Sequence, residues 1–553
     1  MGRALGGKHK LFIGDGIIMA TTVENRVGTD AKVLQSYVSG KWQAGSEHGS
    51  PLVNPTTGDT AAWASSNGLD LKAALEYSRN VGGQELRKLT YAQRAAMLGK
   101  IADALAAKRD DWFQIARVNS GNTKADASID VDGSIGTLKY FAKIGAKLGE
   151  ARRLRDGAPM RLAKDPNFQG LHVGVPLEGV AVHINAFNFP AWGLWEKAAV
   201  SLLAGVPVFS KPATSTAWLA QEMVSAVIDA GVLPPGALSV LCGSPSDLLD
   251  HLRLGDVVAF TGSADTGEGI RQHANIRRQN ICVNLEADSL NAVLLGPDAQ
   301  PGSPEFGFFA REVVREMTSK TGQKCTAIRR VLVPAEKAGA TVEAISAALS
   351  AVVVGDPANP MTNMGPVVNM AQRKSVEEGT RKLKTQAVAA YEPENFAPLD
   401  ADLARGSFVP PTLLKVSNAD DADLIHEVEV FGPVATVVPF KNKEEAFALA
   451  RRGGGSLAAS VFSSDTEFLN DAAVALGTTH GRLLLVDPSI GDSHTGHGIV
   501  LPSCMHGGPG RAGGGEELGG LHGLWFYHQR VAMQGSGATL SKLAEQSADP
   551  RAE

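Results

Sequence analysis

From Gly179 onward the chain alternates short, mostly apolar runs with longer amphipathic stretches. Val180, Ala181, Val182, His183 and Ile184 predict a buried strand, followed by a helix over 196–203 and a strand over 206–209. The same alternation predicts a helix over 217–230, a strand over 238–241, a short helix over 246–252 and a strand over 257–260. Strands separated by helices define a parallel sheet covered on both faces. A second alternating block spans 291–485, with strands at Arg330-Val331-Leu332-Val333 and Ala435-Thr436-Val437-Val438. Earlier in the chain the period lengthens. Ala95, Met97, Leu98, Ile101 and Leu105 recur at helical spacing, so 69–118 should form two or three amphipathic helices, and 130–148 another. Ser36 to Trp42 suggests a short strand and turn, and Pro55-Thr56-Thr57-Gly58 a second turn. The polar, basic stretch 152–173 carries Pro159, Pro166 and Gly170, and fits either a surface loop or a protruding hairpin used in subunit contact. The glycine-rich run 507–521 precedes Trp525, Phe526 and Tyr527, which suggests an ordered loop followed by a strand. The last ~15 residues are polar and expected to fray.

At 553 residues the chain is too long for one core and should divide into two or three domains. Its 44% hydrophobic and 20% charged residues are ordinary for a soluble globular protein. A net charge of -5 gives no electrostatic footprint for nucleic acid. No apolar run approaches the ~20 residues of a bilayer span, so no membrane partner is expected. The four cysteines show no CxxC pairing, which favours a reducing, cytoplasmic setting. Lys8, His9 and Lys10 before Leu11-Phe12-Ile13 imitate a leader, but Gly14-Asp15-Gly16 interrupts the apolar part. Residues 1–32 are therefore taken as an extension outside the fold, with Met19-Ala20 a candidate natural start.

The stretch richest in chemistry is Thr321-Gly322-Gln323-Lys324-Cys325-Thr326, just after a helical run over 306–319. A cysteine thiolate is a strong nucleophile, although a lone cysteine is more often a small buried hydrophobe. Cys242, Cys282 and Cys504 are assigned that packing role, with Cys504 near a substrate funnel. Parallel sheets bind ligands beyond the carboxyl ends of their strands. No G-x-G-x-x-G follows a strand here, and Thr261 to Gly267 is the nearest glycine-bearing strand-to-helix turn. Taken singly, Glu286 is a strand-end carboxylate and Asn188 a turn residue. His183, His494, His497, His506 and His522 lack ligand spacing with carboxylates or cysteines, so they are read as structural or surface residues and no metal is expected.

Taken together, six stretches change this picture. Asn188-Phe189-Pro190, Ser210-Lys211-Pro212-Ala213, Phe260-Thr261-Gly262-Ser263, Asn284-Leu285-Glu286, Gly322-Gln323-Lys324-Cys325 and Glu429-Val430-Phe431-Gly432-Pro433 occur in this order. Over 33–534 the chain thereby resembles the aldehyde dehydrogenase superfamily. The resemblance implies an α/β fold with two Rossmann-like parallel-sheet domains and a small β-hairpin oligomerisation element. The implied division is 33–150 with 173–285 for NADP binding, 286–519 for catalysis, 151–172 with 520–535 for oligomerisation, and a tail over 536–553. The spacing between Glu286 and Cys325 exceeds the family's usual one, and the extra residues are assigned to the loop at 297–304.

By resemblance Cys325 is the nucleophile that attacks the aldehyde carbon to give a thiohemiacetal. Asn188 and the Cys325 N–H would hold the oxyanion, and Glu286 would activate the water that releases the acid. Lys211 would reach the adenosine ribose. Thr214 stands three positions later, where many NAD-preferring members carry an acidic residue; a neutral hydroxyl tolerates a 2′-phosphate, which implies NADP, with NAD at lower efficiency. Gly262, Ser263 and Gly267 would face the pyrophosphate at a helix N-terminus. Glu429, with Phe431 in its motif, would hold the nicotinamide-side ribose, and Lys197 would assist at the adenine-side ribose or snorkel from a helix. The runs His183 to Pro190 and His506 to Glu517 resemble the branch that oxidises CoA-thioester semialdehydes in aerobic ring-cleavage pathways. That implies a small-molecule CoA-thioester semialdehyde substrate and a homodimer. The end at Glu553 is expected to leave no room for an appended hydratase domain. The alternatives are a general small-aldehyde dehydrogenase, a CoA-acylating enzyme, against which Glu286 argues, and a catalytically silent scaffold, against which Cys325 argues.

Overall fold

The strongest apolar runs become the inner strands of two seven-stranded sheets. The computed structural model describes residues 27–46 and 49–551. In the first sheet the order is Cys282–Glu286, Val257–Thr261, Ala181–Ile184, Val208–Lys211, Leu238–Val240, Ser36–Val38 and Lys41–Gln43. The first five strands run parallel, and the last two join antiparallel. Every residue of Ala181–Ile184 and Val208–Lys211 is buried, because helices such as Trp192–Ala204 and Ala217–Asp229 cover the sheet. From Ala181–Ile184 the chain first builds outward to Leu238–Val240, then returns to build Val257–Thr261 and Cys282–Glu286 on the other side. The reversal falls between Ala181–Ile184 and Val257–Thr261, and the crevice beyond such a switch point is where an open α/β sheet takes a ligand. Asn188 and Ser263 lie just past those two carboxyl ends.

The second sheet has the order Val388–Tyr391, Thr412–Lys415, Val434–Phe440, Arg330–Pro334, Ala292–Leu295, Ser456–Phe462 and His480–Val486. It is parallel except for its first pair. Between the strands Ala292–Leu295 and Arg330–Pro334 of this sheet runs the helix Pro304–Thr318, started by Ser303, whose side chain accepts from the Phe306 N–H. The helix expected over 130–148 begins earlier, as Lys124–Ala146, because Thr123 and Asp126 form a reciprocal capping box.

Several expectations are corrected. The stretch 152–173 is a hairpin, Leu154–Arg161 with Phe168–Pro176, and His528–Ser536 pairs with its second strand to complete a three-stranded antiparallel sheet. Trp525, Phe526 and Tyr527 sit in the 3-10 segment Gly520–Tyr527 before that strand, and 246–252 forms only the 3-10 turn Leu248–His251. The polar end of the chain folds into the helix Gly537–Glu545, whose buried Leu540 packs on Leu171 and Val173. At the other end Val27–Leu34 pairs in parallel with Thr60–Ala64, so strand structure reaches into the range read as an extension; Met19-Ala20 lies outside the described residues. Cys242 is buried as expected, whereas Cys282 and Cys504 are exposed. Cys282 opens an edge strand, where a side chain has no second strand to cover it. Among the described residues no helix is long and apolar enough to cross a membrane.

Candidate active site

Cys325 is presented by an unusual turn. Lys320, Thr321 and Gly322 follow one another in the left-handed region, with φ of 50°, 56° and 66°. Non-glycine residues hold such angles only when their surroundings over-determine them. Here the Lys320 N–H donates to Asp126 Oδ1 at 2.6 Å, and Thr321 Oγ1 donates to the Gly365 carbonyl at 2.9 Å. Arg329 Nη2 donates to the Gly322 carbonyl at 2.9 Å, and Asn291 Nδ2 to the Cys325 carbonyl at 2.8 Å. A Cβ at Gly322 would lie 2.2 Å from the Gly432 carbonyl oxygen, so only glycine fits. Glu286 arrives from the first sheet as the last residue of its strand, its carbonyl accepting from the Gly262 N–H at 3.1 Å.

These elements converge. Cys325, Glu286 and Asn188 line one cleft with Lys197 and His506, under apolar walls that include Trp192, Ile499 and Val500. Asn188 is buried, and its Nδ2 has no hydrogen-bond partner among the described residues. A buried donor left unmade costs about 1–3 kcal/mol, so this amide suits an oxygen that only a substrate brings. Burial, then the adjacent Glu286 carboxylate, raises the Cys325 thiol well above its ordinary range. Cys325 therefore rests as a neutral thiol. Burial pushes Glu286 upward too, but His506, Lys197 and Cys325 outweigh it and hold the carboxyl below the ordinary range. Glu286 thus rests ionised, ready to accept a proton. His506 Nε2 lies 2.5 Å from Glu286 Oε2, close but not aligned as a hydrogen bond.

Lys197 requires a correction. It does not snorkel to solvent: its side chain is buried, with Nζ 3.1 Å from Glu196 Oε1 and 3.1 Å from Glu517 Oε2. Glu517, Glu196 and Glu286 overcome the burial that opposes its charge and keep it an ammonium. The helix Trp192–Ala204 turns this face toward the two-residue strand Glu517–Leu518, a contact between segments far apart in sequence. The histidines are corrected as well. A ring nitrogen of His506 and carboxylate oxygens of Glu196 and Glu517 lie within 4.8 Å of one another, the spacing of a metal cluster. Lys197 already sits against both carboxylates and supplies the positive charge there.

Of the residues expected at the cofactor, Lys211 ends the strand Val208–Lys211 and Ser263 follows Val257–Thr261, on either side of the switch point. Lys211 and Thr214 are buried at the carboxyl end of Val208–Lys211, and Thr214 Oγ1 is 2.9 Å from Ser244 Oγ, a pair of neutral hydroxyls. Glu429 Oε2 accepts from the Ser289 N–H at 3.1 Å, while Oε1 has no hydrogen-bond partner, so the side chain suits an incoming hydroxyl. Burial raises Glu429 to about 7, against the pull of Arg329. Phe431 stands edge-on to Phe187 at 5.7 Å and so touches the loop that carries Asn188. Ser263 is the N-cap of the helix Ala264–Gln272, its side chain accepting from the Thr266 N–H. Gly262 and Gly267, however, spend their N–H groups on the Glu286 and Ser263 carbonyls, and Asp288 Oδ1 accepts from Ala264 N–H at 3.0 Å. Gly262 and Gly267 thus contribute space and close packing rather than donors at the helix start.

A cysteine from one α/β unit facing a carboxylate and an amide from the other has a clear counterpart among known proteins. The profile of the aldehyde dehydrogenase family matches residues 42–527, and the chain belongs to that family. Among its relatives, 3,4-dehydroadipyl-CoA semialdehyde dehydrogenase from Aromatoleum evansii is 52% identical over 477 residues, covering 86% of this chain and 93% of that one. The fold matches 3,6-anhydro-L-galactose dehydrogenase in complex with NAP, with a TM-score of 0.79 at 22% identity, covering 91% and 100% of the two chains. It also matches betaine aldehyde dehydrogenase from Staphylococcus aureus in complex with NAD+, with a TM-score of 0.76 at 22% identity over 91% and 95%.

Asn188 yields a direct prediction. Asn188→Ala should lower kcat by about 10²–10³-fold, the usual effect of losing one oxyanion donor, with KM little changed. Steady-state kinetics on the folded variant check this.

Proposed function

We propose that this enzyme oxidises a semialdehyde carried on a CoA thioester, of the 3,4-dehydroadipyl-CoA semialdehyde kind, to its carboxylic acid, and prefers NADP+ to NAD+. The observation that carries the substrate is the 52% identity to the A. evansii enzyme over nearly its whole length. Such a reaction places the protein in aerobic benzoate degradation, a cytoplasmic part of aromatic catabolism.

In the proposed mechanism the Cys325 thiol gives its proton to solvent as sulfur bonds to the aldehyde carbon, so Glu286 stays a carboxylate for the later step. Asn188 Nδ2 and the Cys325 N–H take up the negative charge on oxygen, a charge that exists only after attack. A bound nicotinamide cofactor would supply the hydride acceptor at that carbon, and loss of the hydride would leave an acyl thioester on Cys325. Glu286 then takes a proton from water as the water oxygen adds to the thioester carbon, and collapse expels the sulfur and frees the acid. Lys211 would pair with a 2′-phosphate beside the neutral hydroxyls of Thr214 and Ser244, and Glu429 would hold a ribose hydroxyl, with Phe431 against the ring side. The NADP preference is supported by Thr214, since a carboxylate there would repel the phosphate. The homodimer is supported by the three-stranded sheet, where Met160, Phe168, Val175 and Val531 are exposed apolar side chains.

The test compares kcat/KM for the CoA-linked semialdehyde and its free-acid counterpart, each with NADP+ and with NAD+. A preference of about tenfold or more, roughly 1.4 kcal/mol, is expected for the CoA-linked substrate and for NADP+. Equal rates on the two aldehydes would point instead to a general small-aldehyde dehydrogenase, and faster turnover with NAD+ would overturn the cofactor assignment.

A further inference from the structure

We propose that His506 is a positioning residue that clamps the Glu286 carboxylate and sets the pH range over which Glu286 can deprotonate water. The proposal rests on reading Glu286 as the general base. It starts from the glycine-rich segment that follows His506. Gly515 N–H donates to the Leu285 carbonyl at 2.9 Å, and a Cβ on Gly515 would lie 2.2 Å from Asn284 Oδ1. Gly513 has φ of 103°, and a Cβ there would lie 2.5 Å from the Leu285 oxygen. Asn284 closes both backbone groups of Glu516, accepting from its N–H at 3.0 Å and donating to its carbonyl at 3.1 Å. The Ala287 N–H donates to the Ala512 carbonyl at 3.0 Å. Glycine is needed here because the segment lies backbone to backbone along the Glu286 strand.

This clasp fixes where His506 stands. His506 pairs with Glu517 in a two-stranded antiparallel bridge at the mouth of the segment, and its ring falls on the end of the Glu286 side chain. The two side chains are 4% and 2% exposed, with Nε2 to Oε2 at 2.5 Å. His506 Nδ1 has no hydrogen-bond partner among the described residues, so the polar contact of this ring is the one with Glu286. A carboxylate this deeply buried needs an opposite charge beside it to stay ionised.

The groups around the pair come from four other segments. Glu196 and Lys197 face it from the helix Trp192–Ala204, Glu517 from the partner strand, Cys325 from the strained turn, and Arg482 from His480–Val486. Burial alone would pull the His506 imidazole down, but Glu286, Glu196 and Glu517 hold it above the ordinary histidine value. His506 is also the foremost influence that draws Glu286 down against burial. The sign follows. With the ring in place Glu286 is a carboxylate throughout the neutral range, and without it burial raises the carboxyl. The acid limb of the water-dependent step should then move to higher pH.

The experiment follows acid release from the acyl-enzyme in single turnovers from about pH 5 to pH 9. It compares the full-length enzyme with His506→Phe and His506→Gln, with hydride transfer read in parallel. In both variants the midpoint of the acid limb of acid release should rise by about one pH unit or more, while hydride transfer keeps its amplitude. A purely structural role would lower rates without moving that midpoint. If the phenylalanine variant does not fold, the glutamine variant, polar and of similar size, carries the test. Unmoved midpoints in folded variants would overturn the proposal. Glu286→Gln separates the two readings: if it still releases acid normally, the general-base assignment fails rather than the clamp.

Discussion

Cys325→Ala should abolish aldehyde oxidation, with kcat falling by on the order of 10⁴-fold or more, the scale seen when a covalent nucleophile is removed. The loss is chemical, because no other thiol lines the cleft: Cys242 is buried in the first core, and Cys282 and Cys504 are exposed elsewhere. The strained turn should survive the change. Its ties run through Lys320 N–H, the Thr321 hydroxyl, and the Gly322 and Cys325 carbonyls, none of which uses the Cys325 side chain. Stability should therefore change by less than about 1 kcal/mol. Thermal unfolding beside initial rates checks both halves, and an inactive variant that is also unfolded would fail the prediction.

Glu286→Gln has a different signature. Steady-state turnover should drop by about 10²–10⁴-fold, the range for a lost general base, while the first turnover persists. The Glu286 charge is, after burial, what holds the Cys325 thiol up. Neutralising it makes the thiol easier to ionise, so attack and hydride transfer continue in its absence. Water attack does not, because an amide accepts no proton from water. The expected trace is a rapid burst of about one reduced cofactor per site, followed by a slow phase. Loss of the burst together with turnover would mean that Glu286 is needed before the thioester forms.

How far these features were legible in the sequence depended on where each residue's partners lie. Ala181–Ile184 and Val208–Lys211 declared themselves because parallel strands buried on both faces are mostly apolar, with His183, Ser210 and Lys211 the exceptions. The hairpin over 152–173 did not, since the strand that pairs with it, His528–Ser536, comes from the far end of the chain. The closing helix Gly537–Glu545 offered a weak signal, one buried leucine among polar residues. Its start depends on the Ser536 side chain, which accepts from the Thr539 N–H. Cys325, Glu286 and Asn188 were found through motifs and their order rather than through any local rule. Each alone fitted a bland role as well. Lys197 and His506 were misjudged because their setting is assembled from residues 196, 286, 506 and 517, which no local spacing connects. The one available signal was the glycine run after His506, whose density meant close backbone packing against another element.

The central claim is that an acyl thioester forms on Cys325 and is cleared by water under Glu286. It is tested most directly by giving the Glu286→Gln enzyme aldehyde and cofactor, quenching after the burst, and measuring the mass of the Cys325 peptide. The mechanism predicts a mass increase equal to the acyl group on Cys325, in step with the reduced cofactor formed. An unmodified Cys325 peptide despite a full burst, or an adduct on another residue, would contradict it.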